Sequence, residues 1–473
     1  MIELTTEQMA AAMGADVIAR GSGGVPERAE IDSRKVEGGE LFFGLTGGQS
    51  DGGEHAANAL ESGAWGVVVS HERAAELVAG GPEPGNSGAP GAFVFASPDP
   101  LLSLQMLARA WRRELDATVI GITGSVGKTS VKDITRALLP GEVHASAENF
   151  NTEIGLPLTI LEAPAGTETL VLEMAMRGEG QIAELAVIAE PDVGVITNVG
   201  PVHVELLGSI EAVAAAKAEL IVNMRPEGVM IVPFEAGYLD PHLENVPGLI
   251  RFGGEGDVRV IELSVENGAT KARIETLQGS QAFEFPFAEP HNLTNSLAAI
   301  GAGVAAGFTP AELAARADGI AFSRFRNEHI DLGDRGLIIN DCYNANPVSM
   351  RAALEYLAQI DRPRKIAVLG LMAELGPDEV RFHEEIGEIA RGLEVDVISV
   401  GDLARAYGAD LKAGDPEEAA RLVDERLGPD LAVLVKGSRA AGLERVTELV
   451  TATAKGTNAE TAAASSESEA AGG

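Results

Sequence analysis

The 473-residue sequence predicts an α/β protein, and three observations carry that prediction. Short apolar runs alternate with helical periodicity through most of the chain, several of the runs end in polar residues, and one is followed by a glycine-rich turn. The third observation is the most specific. Thr118 to Leu139, TVIGITGSVGKTSVKDITRALL, joins an apolar strand (Val119, Ile120, Ile122), a turn and a helix with one apolar stripe (Val131, Ile134, Ala137, Leu138). The turn Gly124-Ser125-Val126-Gly127-Lys128-Thr129-Ser130 reads as a phosphate cradle. Its glycines let backbone N–H groups close around phosphate oxygens, Lys128 adds a point charge, and the Thr129 hydroxyl suits a magnesium ion at the positive end of the helix. Ile122 stands where a strict phosphate-loop pattern has its first glycine, so the strand–turn–helix context carries the assignment.

Three domains and a tail are predicted: residues 1–98, 99–322, 323–450 and 451–473. In 1–98, a small α/β domain, Leu41–Leu45, Gly66–Ser70 and Ala92–Ser97 read as strands and Glu54–Gly63 as a helix. Gly80–Gly91 is too rich in Gly and Pro for regular structure. Ser33 and Arg34, after Asp32, either hold a phosphorylated substrate end or form a solvated turn.

The central domain opens with the helix Pro100–Leu115 and contains a parallel sheet of the P-loop ATPase type, whose carboxyl strand ends line a ligand crevice. Glu173 ends the strand Thr169–Met174, in the manner of an acidic magnesium ligand facing the phosphate loop. His203 lies four residues beyond the strand Val193–Val199. Between the loop and Glu173, Asn149, Asn151 and Thr152 offer neutral hydrogen-bonding groups for an anionic substrate, or a polar turn. On the helix Ser209–Val222, Lys217 sits on an apolar stripe, four residues after Val213 and three before Leu220. It either snorkels to water or is buried with a depressed pKa. Val258–Phe287 alternates with period two, which predicts a small β layer. In the helix Asn292–Ala306 that follows, Asn292 either reads a purine edge or caps the helix.

A second doubly wound unit, Rossmann-like, follows, with strands Gly336–Asn340, Lys365–Gly370, Asp396–Gly401 and Leu431–Lys436. Asp341, Tyr343, Asn344 and Asn346 cluster after the first of these, and Lys436, Ser438 and Arg439 after the last. The tail 451–473 lacks apolar periodicity and is expected to be disordered.

Composition narrows the function. With 36 basic and 71 acidic residues the net charge is −35, and only nine residues are lysine, which argues against nucleic acid as a partner. Acidity spread along the whole chain suits a protein of a high-salt cytoplasm. A single cysteine, Cys342, excludes an internal disulfide, the N-terminal residues lack a secretory pattern, and no apolar run reaches membrane-spanning length. A cytoplasmic protein without membrane insertion is expected.

Together the stretches DSRKVEGGELFFGLTG, ITGSVGKTS, NFNTEIGLPLTIL, LEMAMRGEGQI, ITNVGPVHVELLGS, HNLTNSLAA, NDCYNANPVSMRAAL and LVKGSR resemble the Mur ligases, ATP-dependent amide-forming enzymes of peptidoglycan synthesis, from Ile31 to Val446. The resemblance implies an ADP-forming ligase that joins D-alanyl-D-alanine to UDP-N-acetylmuramoyl-tripeptide through an acyl phosphate, working as a monomer with ATP and two magnesium ions. It further implies that Ser33 and Arg34 hold the UDP-sugar end, and that Gly124 to Ser130 cradle the ATP phosphates with Lys128 and Thr129 prominent. Thr129, Glu173, His203 and a carbamylated Lys217 would be the magnesium ligands. Asn292 would contact adenine, Arg326 the phosphates and Asp341 the ribose, while Tyr343, Asn344 and Asn346 lie near the incoming dipeptide. The chain departs from the family at Gly370-Leu371-Met372, where an acid often follows the glycine, and it lacks the DNPR-type signature of the preceding Mur step. Ligases of the Mur or folylpolyglutamate type with other substrates, and a nucleotide-binding scaffold without ligation, remain the rival readings.

Overall fold

The computed structural model describes residues 2–48, 51–80, 91–147, 150–202, 204–244, 246 and 248–453. Asn149, His203, nearly all of the Gly80–Gly91 loop and residues 454–473 of the tail lie outside these. Residues 444–453 form one helix, so the boundary drawn at 451 falls inside a regular element.

The described chain forms two compact units, Met1–Val199 with Ala214–Pro286 and Thr294–Ile320, and Gly200–Val213 with Phe287–Leu293 and Ala321–Gly473. In the first unit one sheet pairs Asp16–Ala19 antiparallel with Phe93–Ala96, followed in parallel by Gly66–Val69, Leu41–Phe43 and Ala29–Glu30. The second sheet is parallel throughout, in the order Gly248–Phe252, Val229–Pro233, Val193–Ile196, Thr118–Thr123, Thr169–Glu173, Val143–Ala145. The period-two stretch folds as the antiparallel meander Arg259–Glu266, Ala269–Thr276, Gly279–Phe285.

The sheets expected in residues 1–98 and 99–322 both form, yet they pack in one unit because the helix Pro100–Leu115 serves both. Asp99 caps it, its Oδ1 accepting from the N–H groups of Leu101 and Leu102. On one side Ser103 Oγ donates to Met13 O at 2.8 Å. On the other, Trp111 Nε1 donates to Ala163 O at 3.0 Å, and the buried Arg112 guanidinium donates to Ala189 O, Glu190 O and Asp192 Oδ2. Glu190, left-handed at φ 47°, ends the helix Gln181–Ala189 and accepts from Arg113 and Arg109. The Arg113 guanidinium foremost, with Arg109 beside it, holds the Glu190 carboxyl down at about 2, against the opposing effect of burial. A depressed carboxyl pKa stabilises the fold above the unfolded value near 4.5 and loses that contribution as pH falls towards 2. Glu190→Gln should therefore cost about 1–2 kcal/mol at pH 7, a figure discounted for the exposure of Arg113. In urea unfolding the deficit should shrink between pH 4.5 and 2.

In the second unit Glu328–Asp331 runs antiparallel to Leu337–Asn340, followed in parallel by Leu431–Lys436, Arg364–Leu369, Asp396–Val400 and Leu411–Ala413. Successive strand residues feed opposite cores: Ile339, Leu369 and Leu434 pack with Leu354 and Leu357, while Ile338, Val368 and Val433 pack with Ala419 and Val423.

A net charge of −35 must be carried largely on the surface of these units. Added potassium chloride shortens the reach of like-charge repulsion from roughly 30 Å at 0.01 M to about 3 Å at 1 M ionic strength. The melting temperature should rise across that range. A flat profile would remove the high-salt reading of the composition.

Candidate active site

The first unit builds its site where Thr118–Thr123 gives way to the glycine turn and the helix Lys128–Leu138. Gly124 has φ 149°, and a Cβ there would lie 1.9 Å from Thr197 Oγ1. That hydroxyl instead donates to Val126 O at 2.6 Å. Gly127 has φ 82°, and a Cβ would meet Asn295 Oδ1 at 2.7 Å. Both glycines are thus required by backbone conformation and by close neighbours. Asn198 completes the support, its Oδ1 accepting from Val126 N at 3.0 Å and its carbonyl from Ser125 N at 3.1 Å. Gly127 offers no side-chain cap to the helix it precedes, whose N-terminus lies at the turn with the helix dipole behind it. The Lys128 ammonium donates to Gly124 O at 2.8 Å.

Thr129, Asn151 and Glu173 meet beside this turn. Thr129 Oγ1 donates to Glu173 Oε2 at 2.7 Å and Asn151 Nδ2 to Glu173 Oε1 at 2.8 Å, with Thr129 and Glu173 buried. Glu173 N donates to Ser146 Oγ at 3.1 Å, and the buried Lys132 ammonium holds Ser146 O at 2.9 Å. Thr152 lies outside the cluster, exposed, with its hydroxyl accepting from Gly155 N. Hard oxygen donors from Thr129 and Glu173 fit a magnesium ion. Among the described residues no group of three His, Cys, Asp or Glu side chains is placed to hold a metal.

Lys217, on the helix Ile210–Asn223, is 1% exposed, which excludes the snorkelling alternative. Burial first, and then the Lys128 ammonium, push it well below the usual lysine range. No hydrogen bond or ion pair of the described residues offsets its charge.

Ser33 and Arg34 lie in the short turn Ser33–Lys35, where Arg34 Nε and Nη2 reach the Asp32 carboxylate at 2.8 and 2.7 Å. Arg34 pulls that carboxyl down to about 2. Arg34 also lines a cleft of 410 Å³ together with Arg28, Lys35, Glu37 and Glu40.

In the second unit the polar residues gather after the strands Leu337–Asn340 and Leu431–Lys436. Lys436, buried, pairs with Asp341 Oδ2 at 2.5 Å and donates to Asn344 O at 3.2 Å. Arg326 stacks 4.2 Å over the Tyr343 ring, and its Nε is buried without a hydrogen-bond partner among the described residues, an orphan donor suited to an anion. Asn346 caps the helix Pro347–Gln359, accepting from Ser349 N at 3.0 Å, so its amide is already used in folding. Asn292 lies within the first turn of the helix Pro290–Ala305, two residues past its start, and its Nδ2 donates to Glu289 Oε2 at 3.4 Å. Burial opposes ionisation of Glu289, but the His329 imidazole 3.0 Å away holds its carboxyl at about 2.

Three residues hold the Gly370-Leu371-Met372 turn, and sequence reasoning passed over two of them, His383 and Tyr407, while singling out Ser438 only as part of a polar cluster. The buried His383 accepts from Met372 N through Nε2 at 3.0 Å, Tyr407 Oη donates to Gly370 O at 2.8 Å, and Ser438 Oγ accepts from Ala373 N at 2.9 Å. His383 lies four residues after Glu379, whose carbonyl its Nδ1 meets at 2.7 Å, on a helical face that reads simply as core.

Three protein families match in succession: "Mur ligase family, catalytic domain" over residues 28–100, "Mur ligase middle domain" over 122–303, and "Mur ligase, glutamate ligase domain" over 325–439. The UDP-N-acetylmuramoyl-tripeptide--D-alanyl-D-alanine ligase of Bacillus subtilis (strain 168) is 36% identical over 418 residues, covering 87% of each chain. Among solved structures, MurF from Acinetobacter baumannii superposes with a TM-score of 0.83 at 26% identity, covering 94% of this chain and 98% of its own. The MurF ligase from Thermotoga maritima, solved in complex with ADP, gives 0.77 at 31% identity over 91% of this chain and 98% of its own.

Proposed function

The chain belongs to the Mur ligase family, and on that premise we propose that it joins D-alanyl-D-alanine to UDP-N-acetylmuramoyl-tripeptide in peptidoglycan precursor synthesis, with cleavage of ATP to ADP and phosphate. The observation that carries the reading is the phosphate turn with Thr129, Asn151 and Glu173 locked at its side and two lysines, Lys128 and Lys217, close enough to repel. The relatives named for this reaction supply the choice of substrates.

A carboxylate is a poor acyl donor because its leaving group would be an oxide. Transfer of the γ-phosphoryl group to the substrate carboxylate forms an acyl phosphate and releases ADP. The dipeptide amine then attacks the acyl carbon, forming the amide as the C–O bond to phosphate breaks and the amine loses its proton. In this reading the backbone of Gly124 to Ser130 and the Lys128 ammonium bind and orient the triphosphate, and the orphan Nε of Arg326 takes a phosphate oxygen. Thr129 and Glu173 would hold magnesium, which when bound would supply charge neutralisation to the transferring group. Asn292 and Asp341 take the adenine and ribose, and Ser33 and Arg34 the uridine diphosphate end.

Lys217 is the modified ligand in this reading. Burial favours its neutral amine, which would add to carbon dioxide, forming an N–C bond and releasing a proton, and the resulting carbamate would replace a cation that Lys128 repels with an anion that it attracts. With His203 and Glu173 it would complete a second magnesium site. Dependence on ATP and a nucleotide-linked sugar fits a cytoplasmic reaction in this reading. No described helix is long and apolar enough to cross a membrane.

Phosphate release measured over a matrix of UDP-muramoyl peptides and amines tests the proposal. Release should require both a UDP-muramoyl-tripeptide and D-alanyl-D-alanine. Release with a dipeptide carrier and a diamino acid, or with a folate and glutamate, would assign the chain to a different ligase step. Hydrolysis indifferent to all of them would leave a nucleotide-binding scaffold.

A further inference from the structure

At the carboxyl edge of the second unit's sheet, Phe325 has φ 62°, a conformation that a bulky side chain adopts only when its surroundings impose it. Tyr343 N donates to Phe325 O at 3.1 Å, which fixes this residue against the loop that follows the strand Leu337–Asn340. Two guanidiniums share its ring: Arg324 and Arg439 each lie 4.9 Å from the ring centroid. Arg439 follows the neighbouring strand, Leu431–Lys436, and its Nη1 is held by Glu444 Oε1 at 3.3 Å. Glu444 Oε2 is buried with no hydrogen-bond partner among the described residues.

Placing two cations on one ring costs repulsion that cation–π attraction repays only in part, and an anion between them removes it. Lys436 at this edge is already committed to Asp341. An incoming dipeptide has two ionic groups. Its amine must arrive neutral to act as nucleophile, so its C-terminal carboxylate is the one charge by which the protein can recognise and orient it. In a chain of net charge −35 that carboxylate requires a dedicated cation. We propose that Arg439 and Arg324, spaced by Phe325, form the subsite for the C-terminal carboxylate of the acceptor dipeptide, with Glu444 positioning Arg439. The proposal rests on the ligase reading above and adds the residues that make the acceptor a free-acid dipeptide.

Steady-state kinetics of the full-length protein and of Arg439→Ala, Arg439→Lys and Arg324→Ala, with D-alanyl-D-alanine and with its C-terminal amide, test the assignment. Loss of a charge-assisted contact should raise KM for D-alanyl-D-alanine roughly 10- to 100-fold in Arg439→Ala, with a smaller rise in Arg439→Lys and Arg324→Ala and the KM for ATP unchanged. The amide should already be a weak substrate of the unmodified protein, and Arg439→Ala should weaken it no further. Equal loss with acid and amide would overturn the subsite, as would a rise confined to the KM for ATP, which would move the pair to the nucleotide. An unmodified protein that makes product from other amines but none from D-alanyl-D-alanine would overturn the ligase reading and the subsite together. Unchanged melting temperatures exclude misfolding as the cause of any loss.

Discussion

Lys217→Ala should lose nearly all ligation, on the order of a thousandfold in kcat, and recover part of it in acetate or formate. A lysine buried to 1% exposure within reach of a second ammonium's field is disfavoured as a cation, and the lowered pKa favours the neutral amine, the form that adds to carbon dioxide. Removing a buried side chain should leave a cavity, which a short carboxylic acid could enter to replace the missing carboxylate. Lys217→Arg should be as inactive and show no rescue, because it keeps a positive charge, forms no stable carbamate and fills the space. The fold should survive the alanine change, since an uncompensated buried charge leaves together with its packing. Full activity in Lys217→Ala without added acid, or rescue of Lys217→Arg, would rule out the carbamate.

Lys128→Ala should abolish ATP-dependent ligation, again by roughly a thousandfold or more, while the melting temperature stays within a few degrees. The ammonium bonds to the Gly124 carbonyl at 2.8 Å, an easily replaced contact, whereas in phosphoryl transfer it would face the charge of the transferring group. Near-normal turnover in this variant would remove the nucleotide from the turn Gly124 to Ser130. The two lysines are electrostatically coupled, so their effects should not add. With Lys128 gone, Lys217 loses one of the two influences that depress its pKa and should be carbamylated less completely at a given pH, a change that bicarbonate titration followed by mass spectrometry can read.

Much of this site was legible because strand–turn–helix chemistry is local. Gly124, Gly127, Lys128 and Thr129 fall within one short run, and Glu173 was found from the period and end of its own strand. Lys217 was conspicuous as a charge on an apolar stripe, but periodicity alone did not separate burial from snorkelling, since that depends on what packs over the helix. Residues whose role is set by distant neighbours were not legible. Asn295 presses on Gly127, Thr197 and Asn198 support the turn, and Lys132 holds Ser146 beneath Glu173, all across gaps in sequence that leave no local signal. The edge strands Val143–Ala145, Gly248–Phe252 and Glu328–Asp331 were missed because they are short and only partly buried, so their apolar pattern is weak. The left-handed Phe325 between two arginines has no precursor in composition, because nothing in the sequence announces a positive φ at a phenylalanine.

Activation of a carboxylate by phosphoryl transfer at the Gly124–Ser130 turn is the central claim, and one isotope measurement tests it most directly. UDP-N-acetylmuramoyl-tripeptide labelled with oxygen-18 in its terminal carboxylate is incubated with ATP, magnesium and D-alanyl-D-alanine, and the released phosphate and the product are weighed by mass spectrometry. If the carboxylate attacks the γ-phosphorus, one labelled oxygen leaves with each inorganic phosphate and one remains in the new amide carbonyl. Unlabelled phosphate accompanying a fully formed amide would contradict the acyl phosphate and the role given to this site.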